Sequence, residues 1–229
     1  MSSDASTGRT DGRAARWAGQ RDRRRREFVD AALRAIAEHG PEVSTEQVAA
    51  AAGVARAQLY KHFTDATDLR SAIAARVGEQ LTTTLQLWEL SGTPTEMIHS
   101  AVSAHVGWLV ENRNLYRYLS RHSLLSLTDN RDPITDVRTA IARQLTALFE
   151  AYRTAFGIDT VGVEPLAYAI IGLVDSSAAR WLESPSGMSL DELAALLTRW
   201  VWQILQDDLR SGGVTVDPDL PLDRPEPPA

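Results

Sequence analysis

The stretch Ser44–Phe63, STEQVAAAAGVARAQLYKHF, decides how this chain folds. Ser44-Thr45-Glu46-Gln47 has the form of a capping box, in which the Ser hydroxyl accepts from the Gln47 amide while the Gln side chain returns to the Ser amide, so a helix is expected from Thr45. Val48 and Ala52 fall four apart on its inner face, and the small Ala49 lets a second helix cross close to its backbone. Gly53 suits the left-handed stop that turns a chain within a few residues. Val54 and Leu59 then supply the buried side of a short second helix, Ala55 to about His62. Arg56, Ala57, Gln58, Tyr60, Lys61 and His62 are left outward. A helical hairpin with an incidental glycine turn would lack this combination of capping box, ordered apolar positions and aromatic ending.

The outward residues carry the donors that nucleic acid requires. Arg56 and Gln58 can make paired hydrogen bonds to base edges in a major groove, and Ala57 can meet a thymine methyl. Tyr60, Lys61 and His62 suit phosphate oxygens through hydroxyl, ammonium and imidazole, and Thr45 can add a hydroxyl and an amide. The net charge of −6 points the other way until it is divided along the chain. Residues 1–62 carry +3 and the remainder −9. Within residues 1–26 eight Arg stand against three Asp, with Arg23-Arg24-Arg25-Arg26 unbroken. Such a run is either a solvated arm or the footprint of a polyanion partner. On the second reading Arg24 and Arg25 are expected on phosphates or in a minor groove.

The segments Asp30-Ala31-Ala32-Leu33, Val48-Ala49, Ala52-Gly53-Val54 and Leu59-Tyr60-Lys61-His62-Phe63 resemble the N-terminal domain of the TetR family over roughly residues 22–72. The resemblance implies three N-terminal helices that bind DNA, the third in the major groove, with Tyr60 and His62 on phosphate. It also implies a homodimer, a small-molecule effector and a palindromic double-stranded operator. Two positions depart from the family pattern. Ala55 stands where a capping Ser is common, and Ala66 where a Lys often reaches phosphate.

Outside this head the chain reads at a helical period, broken where Gly, Pro, Asn or Asp cluster. The expected class is all-α with about nine helices. Residues 1–21 read as an Arg-rich mobile arm, 22–68 as the helix-turn-helix domain, 69–213 as a helical effector-binding and dimerisation domain, and 214–229 as an extended tail holding five of the ten prolines. The first helix is expected from about Asp22 to His39, with Phe28, Ala32, Leu33 and Ile36 inward and Gly40 as its stop. The fourth is expected from about Asp65 to Leu90, and the rest over Pro94–Glu111, Asn114–Leu127, Pro133–Phe156, Glu164–Leu182 and Ser189–Arg210.

The C-terminal part has no motif of comparable specificity. Small residues along Leu166–Leu182 and the largely apolar Leu190–Leu209 point to a four-helix bundle across a two-fold axis, with Gly172, Ser176, Ala179, Leu193, Leu197, Trp200 and Ile204 at the dimer interface. Two core helices of a monomer are the plainer alternative. Candidate lining for an effector pocket is Trp88, Met97, His105, Trp108, Leu109, Tyr116, Leu119, Tyr168, Ile171 and Asp175. Asp175 is singled out because a carboxylate amid Ile170, Ile171, Leu173 and Val174 needs a partner when buried.

Other classes find little support. Cysteine is absent, which removes disulfides, thiolate metal sites and cysteine nucleophiles together. His99 and His105 are six apart, not the three or four that place two imidazoles on one helix face. Nucleophile elbow, phosphate loop and dinucleotide fingerprint are all missing. No apolar run approaches a membrane span and no secretory signal opens the chain. The expectation is a cytoplasmic regulator, more a repressor than an activator, with no enzyme activity, cofactor or metal. A DNA binder without effector, or an enzyme using a helical pocket, are the alternatives.

Overall fold

The computed structural model describes residues 7–125, 133–185, 187–223 and 225, with side chains placed for 19–121, 135–185, 187–223 and 225. Among the described residues there are nine α-helices and no strand. They are α1 (Thr7–His39), α2 (Thr45–Ala51), α3 (Arg56–Leu59), α4 (Ala66–Leu85), α5 (Pro94–Glu111), α6 (Arg113–Leu125), α7 (Pro133–Ala155), α8 (Val163–Glu183) and α9 (Leu190–Ser211). No helix is long and apolar enough to cross a membrane among the described residues.

The N-terminal boundary differs from expectation. α1 begins at Thr7, so most of the stretch read as an arm is helical, while residues 1–6 lie outside the described residues. Arg13, Ala14, Ala15, Arg16, Ala18 and Gln20 are good helix formers. A polar helix needs no apolar period when charge pairs run along it, and Arg23 and Arg24 both reach Glu27, at 3.3 and 2.7 Å. The arginine run consequently sits about four turns inside α1. It does not oppose the dipole of a helix start.

The chain divides into two compact units, Met1–Arg76 with Asn114–Pro133, and Val77–Arg113 with Ile134–Ala229. The boundary thus falls inside α4, and α6 belongs to the first unit, where a continuous division at residue 68 was expected. In the first unit Phe28, Ala32, Ile36, Leu59, Phe63, Leu69 and Ile73 are fully buried together. Leu33 is only half-buried. α6 adds Leu115, Tyr118 and Leu119 to that core and is tied down by Asn114, which donates to the Ala37 carbonyl at 3.3 Å, and by the Arg121–Glu42 ion pair. Gly40, at φ +86°, ends the turn after α1 as expected.

The second unit packs the C-terminal half of α4 with α5, α7, α8 and α9. Val106, Leu109, Ala167, Ala178 and Leu197 form its centre. α4 and α7 approach closely at Gly78, where a Cβ would stand 3.1 Å from that of Ala140. α4 stops at Leu85, short of the expected Leu90, because Gln86 turns left-handed at φ 44° and starts a 3₁₀ turn, Leu87–Glu89, that buries Leu87. The expectation of an unpacked tail is also corrected. Val216 is buried, the Leu222 amide donates to the Gly92 carbonyl at 3.1 Å, and Thr95 donates to the Pro218 carbonyl at 3.3 Å. Prolines keep the segment extended, yet its interspersed Val and Leu still find apolar cover.

Candidate functional site

The helix-turn-helix forms as its sequence dictates. The Gln47 amide donates to Ser44 Oγ at 3.2 Å and the Ser44 amide to Gln47 Oε1 at 2.8 Å, closing the capping box. Gly53 adopts φ +68°, and the Val54 amide returns to the Ala49 carbonyl at 3.0 Å. α3 starts from Ala55 in extended geometry with no side-chain cap, and after Leu59 the chain continues in hydrogen-bonded turns through Phe63. An Ala55→Ser substitution supplies the missing acceptor in a backbone already set for it. It should add about 1 kcal/mol to stability, read as a rise of about 2–4 °C in melting temperature.

Around this frame the predicted contacts diverge. Arg56, Ala57 and Lys61 are exposed, with Thr45, Gln58 and Tyr60 half-buried. Arg56 pairs with Glu46 at 2.5 Å and lies 5.4 Å over the Tyr60 ring, so α2 and Tyr60 pre-position the guanidinium. His62 is tilted against Phe28 at 5.2 Å, with Nδ1 buried and lacking a hydrogen-bond partner. Burial, then the nearby Arg21, Arg24, Arg25 and Lys61, hold its imidazole below the ordinary value. The neutral form of His62 is thereby favoured. Arg24 is exposed, bonds Glu27 and lies over Phe28 at 5.1 Å.

Arg25 is built into the head. Its guanidinium meets Asp68 at 2.7 and 3.0 Å, donates to the His62 carbonyl, and stacks 4.3 Å over the Phe63 ring. Asp68 also accepts the Thr64 amide at 2.9 Å. These bonds hold its carboxyl below the usual range, with the Arg25 hydrogen bond first among the causes. Arg25, expected on phosphate, is here engaged as a strut joining α1, the end of the helix-turn-helix and the start of α4. Its partners lie 37 and 43 residues away, so no local pattern could have found them.

In the second unit an apolar cavity of about 190 Å³ lies between α5, α7, α8 and α9, bordered also by Leu85, Leu87, Leu90 and Leu222. Of the expected lining, Met97, His105 and Ile171 are present. Trp88, Trp108, Leu109, Tyr168 and Asp175 are absent from the wall, and Tyr116 and Leu119 belong to the other unit. Trp108 and Leu109 are buried as core, whereas Tyr168 is exposed and bonds Thr139 at 3.2 Å. The missed wall is α7, with Ile141, Leu145, Leu148, Phe149 and Tyr152, and Phe156 just beyond its end. Their spacing of three and four was the available signal.

Asp175 stands behind the wall, buried, accepting from Arg138 Nε at 3.1 Å and Nη2 at 2.5 Å and facing His105 Nε2 at 3.6 Å. Burial alone would raise its carboxyl, but His105 and Arg138 hold it below the usual range. On α8 and α9 the expected interface residues divide. Leu193 and Leu197 are buried within the single chain and serve its core, while Ser176, Trp200 and Ile204 are exposed and Gly172 and Ala179 half-exposed. No group of three His, Asp or Glu that could hold a metal exists among the described residues.

The profile of bacterial regulatory proteins of the tetR family matches residues 28–77, and that of the tetracyclin repressor-like C-terminal domain matches residues 94–204. An HTH-type transcriptional regulator of Mycobacterium tuberculosis is 33% identical over 211 residues, covering 91% of this chain and 88% of that one. The chain belongs to the TetR family of transcriptional regulators. It is a DNA-binding protein of the TetR type, and the helix-turn-helix described above lies within the matched head. The HTH-type transcriptional repressor LfrR of Mycolicibacterium smegmatis is 41% identical over 59 residues, 26% of this TetR-family chain and 31% of that one. Solved structures share the fold. A tetR-family regulator from Streptomyces coelicolor superposes with a TM-score of 0.62 at 19% identity, covering 83% of each chain. FadR from Bacillus subtilis, in complex with stearoyl-CoA, gives 0.57 at 19% identity, covering 76% of this chain and 96% of that one.

Proposed function

We propose that this regulator is a homodimeric cytoplasmic repressor released from a palindromic operator by an apolar or amphipathic small molecule. The observation that carries the proposal is the cavity, bounded entirely by one unit and by almost wholly apolar side chains. A ligand that fills it covers apolar surface otherwise left to water, and concave apolar sites are the usual form of small-molecule sites. The stearoyl-CoA held by the Bacillus subtilis neighbour lends support to an effector with an apolar chain.

α4 offers the route of response, since it carries Asp68 near its first turn and Leu85 in the cavity wall at its last. A ligand that moves Leu85 moves the helix on which the head is clamped, provided it binds the DNA-free form more tightly. The outward Tyr168, Gly172, Ser176, Ala179, Trp200 and Ile204 of α8 and α9 support a two-fold interface, which pairs two heads for two half-sites.

Selection from random duplex DNA tests the operator. Palindromes with half-sites about 34–36 Å apart are expected, and a single unpaired site would reject the dimeric reading. On the selected operator, Arg56→Ala should cost about 1–3 kcal/mol and relax preference at one base pair. Lys61→Ala should weaken all sequences alike and reduce the salt slope by about 0.9 for each phosphate that the ammonium neutralises. An unchanged slope removes Lys61 from the phosphate-binding set.

A further inference from the structure

We infer that the cavity encloses only uncharged groups: it takes an apolar chain bearing neutral hydrogen-bonding groups, such as ester carbonyls or hydroxyls, and rejects a free carboxylate. The inference rests on the cavity being the effector site. Besides Tyr152, its ionisable lining consists of His105, Arg153 and Asp208. The Arg153 side chain is 9% exposed, its Nη1 lies 3.2 and 3.3 Å from the Asp208 carboxylate oxygens, and its Nη2 is 3.7 Å from Asp159. One cation thus faces two anions at this pole. At the other pole Arg138 matches the charge of Asp175 behind His105.

An incoming carboxylate therefore meets no uncommitted cation in the wall. Drawing Arg153 away would strip Asp208 of its partner, and breaking such a buried pair is strongly unfavourable. Leaving the pair intact would bury the ligand's charge alone, which is worse.

Hydrogen-bonding capacity nevertheless remains. Arg153 Nε is buried with no hydrogen-bond partner, whereas His105 Nε2 is turned toward the Asp175 carboxylate at 3.6 Å. An arginine Nε can only donate. A carbonyl, ether or hydroxyl oxygen satisfies it without adding charge. A charged head must stay outside the wall.

The test uses the full-length protein at pH 8. Dodecane, 1-dodecanol, methyl dodecanoate and sodium dodecanoate are compared below their micellar concentrations by thermal shift and by titration of tryptophan fluorescence. The ester and the alcohol should bind at least tenfold more tightly than dodecanoate. Asp208→Asn, referenced to its own ligand-free melting temperature, frees the charge of Arg153 and should shift preference toward dodecanoate by at least tenfold. Leu145→Trp, which fills the cavity, should abolish every shift, and a retained shift would place binding elsewhere and overturn the assignment. Dodecanoate binding the unmodified protein as tightly as the ester overturns the charge rule while leaving the cavity as the effector site. If none of the four binds, the effector-site reading itself fails.

Discussion

Arg138→Met is expected to lower the stability of the C-terminal unit by about 3 kcal/mol at pH 7, the lower end of the range for breaking a buried ion pair. The lower end applies because Arg138 is 36% exposed and keeps some hydration, whereas the Asp175 side chain is only 8% exposed. Without Arg138 the carboxylate retains His105 alone at 3.6 Å, too long for a good hydrogen bond. The pH dependence should also change at this site. In the unmodified protein the Asp175 carboxyl is held low, so its contribution is fully present above the unfolded value of about 3.9 and is lost as pH falls through the folded value. In Arg138→Met, burial is opposed by His105 alone and the folded value rises. The defect should then be large at pH 7.5 and shrink toward pH 4.5. Urea unfolding followed by tryptophan emission reads this unit, since five of the six Trp lie in it. Adding Asp175→Leu should recover most of the loss, because an apolar pair can replace a buried ionic one. A defect equal at both pH values would show that Asp175 does not depend on Arg138.

The second large effect is expected from Arg25→Ala. The substitution removes the bidentate bond to Asp68, the bond to the His62 carbonyl and the stacking on Phe63 together. Both partners retain roughly a quarter of their exposure, so solvent screening limits the cost to about 2 kcal/mol. Operator affinity should fall at least tenfold, because the strut fixes the turn carrying Tyr60, Lys61 and His62. Arg25→Lys should rescue little, since an ammonium has neither the fork nor the planar stack. Arg24→Ala is the control for stability alone, as its exposed side chain bears no comparable network. If Arg25→Ala lowered affinity only through the salt slope, with stability unchanged, Arg25 would be a phosphate contact after all.

The contrast between these neighbouring arginines shows where the sequence stops speaking. Ser44, Gln47 and Gly53 set the helix-turn-helix through bonds within four residues and one backbone angle, and those interactions form wherever the rest of the chain goes. The order Val48, Ala49, Val54, Leu59 and Phe63 likewise chose its buried side from period alone. Helix number and most helix limits followed from the same local rules. The early start of α1 escaped them because a polar helix has no apolar period to reveal it. The fates of Arg24 and Arg25 are indistinguishable in an unbroken run of four. Only folding brings Asp68 and the His62 carbonyl to one of them.

Packing also decided the cavity. Met97, His105 and Ile171 could be named from composition, but whether an apolar residue faces a void or a neighbour depends on how four helices fail to fill the space between them. Trp108 and Leu109 were as apolar and lie in the core, while Leu222, from the proline-rich segment expected to stay unpacked, lines the void. The sequence by itself determined the DNA-reading head, because capping, turning and amphipathic period are short-range. The tertiary structure alone decided which charges are spent inside the protein and where space is left, because both depend on side chains brought together from distant parts of the chain.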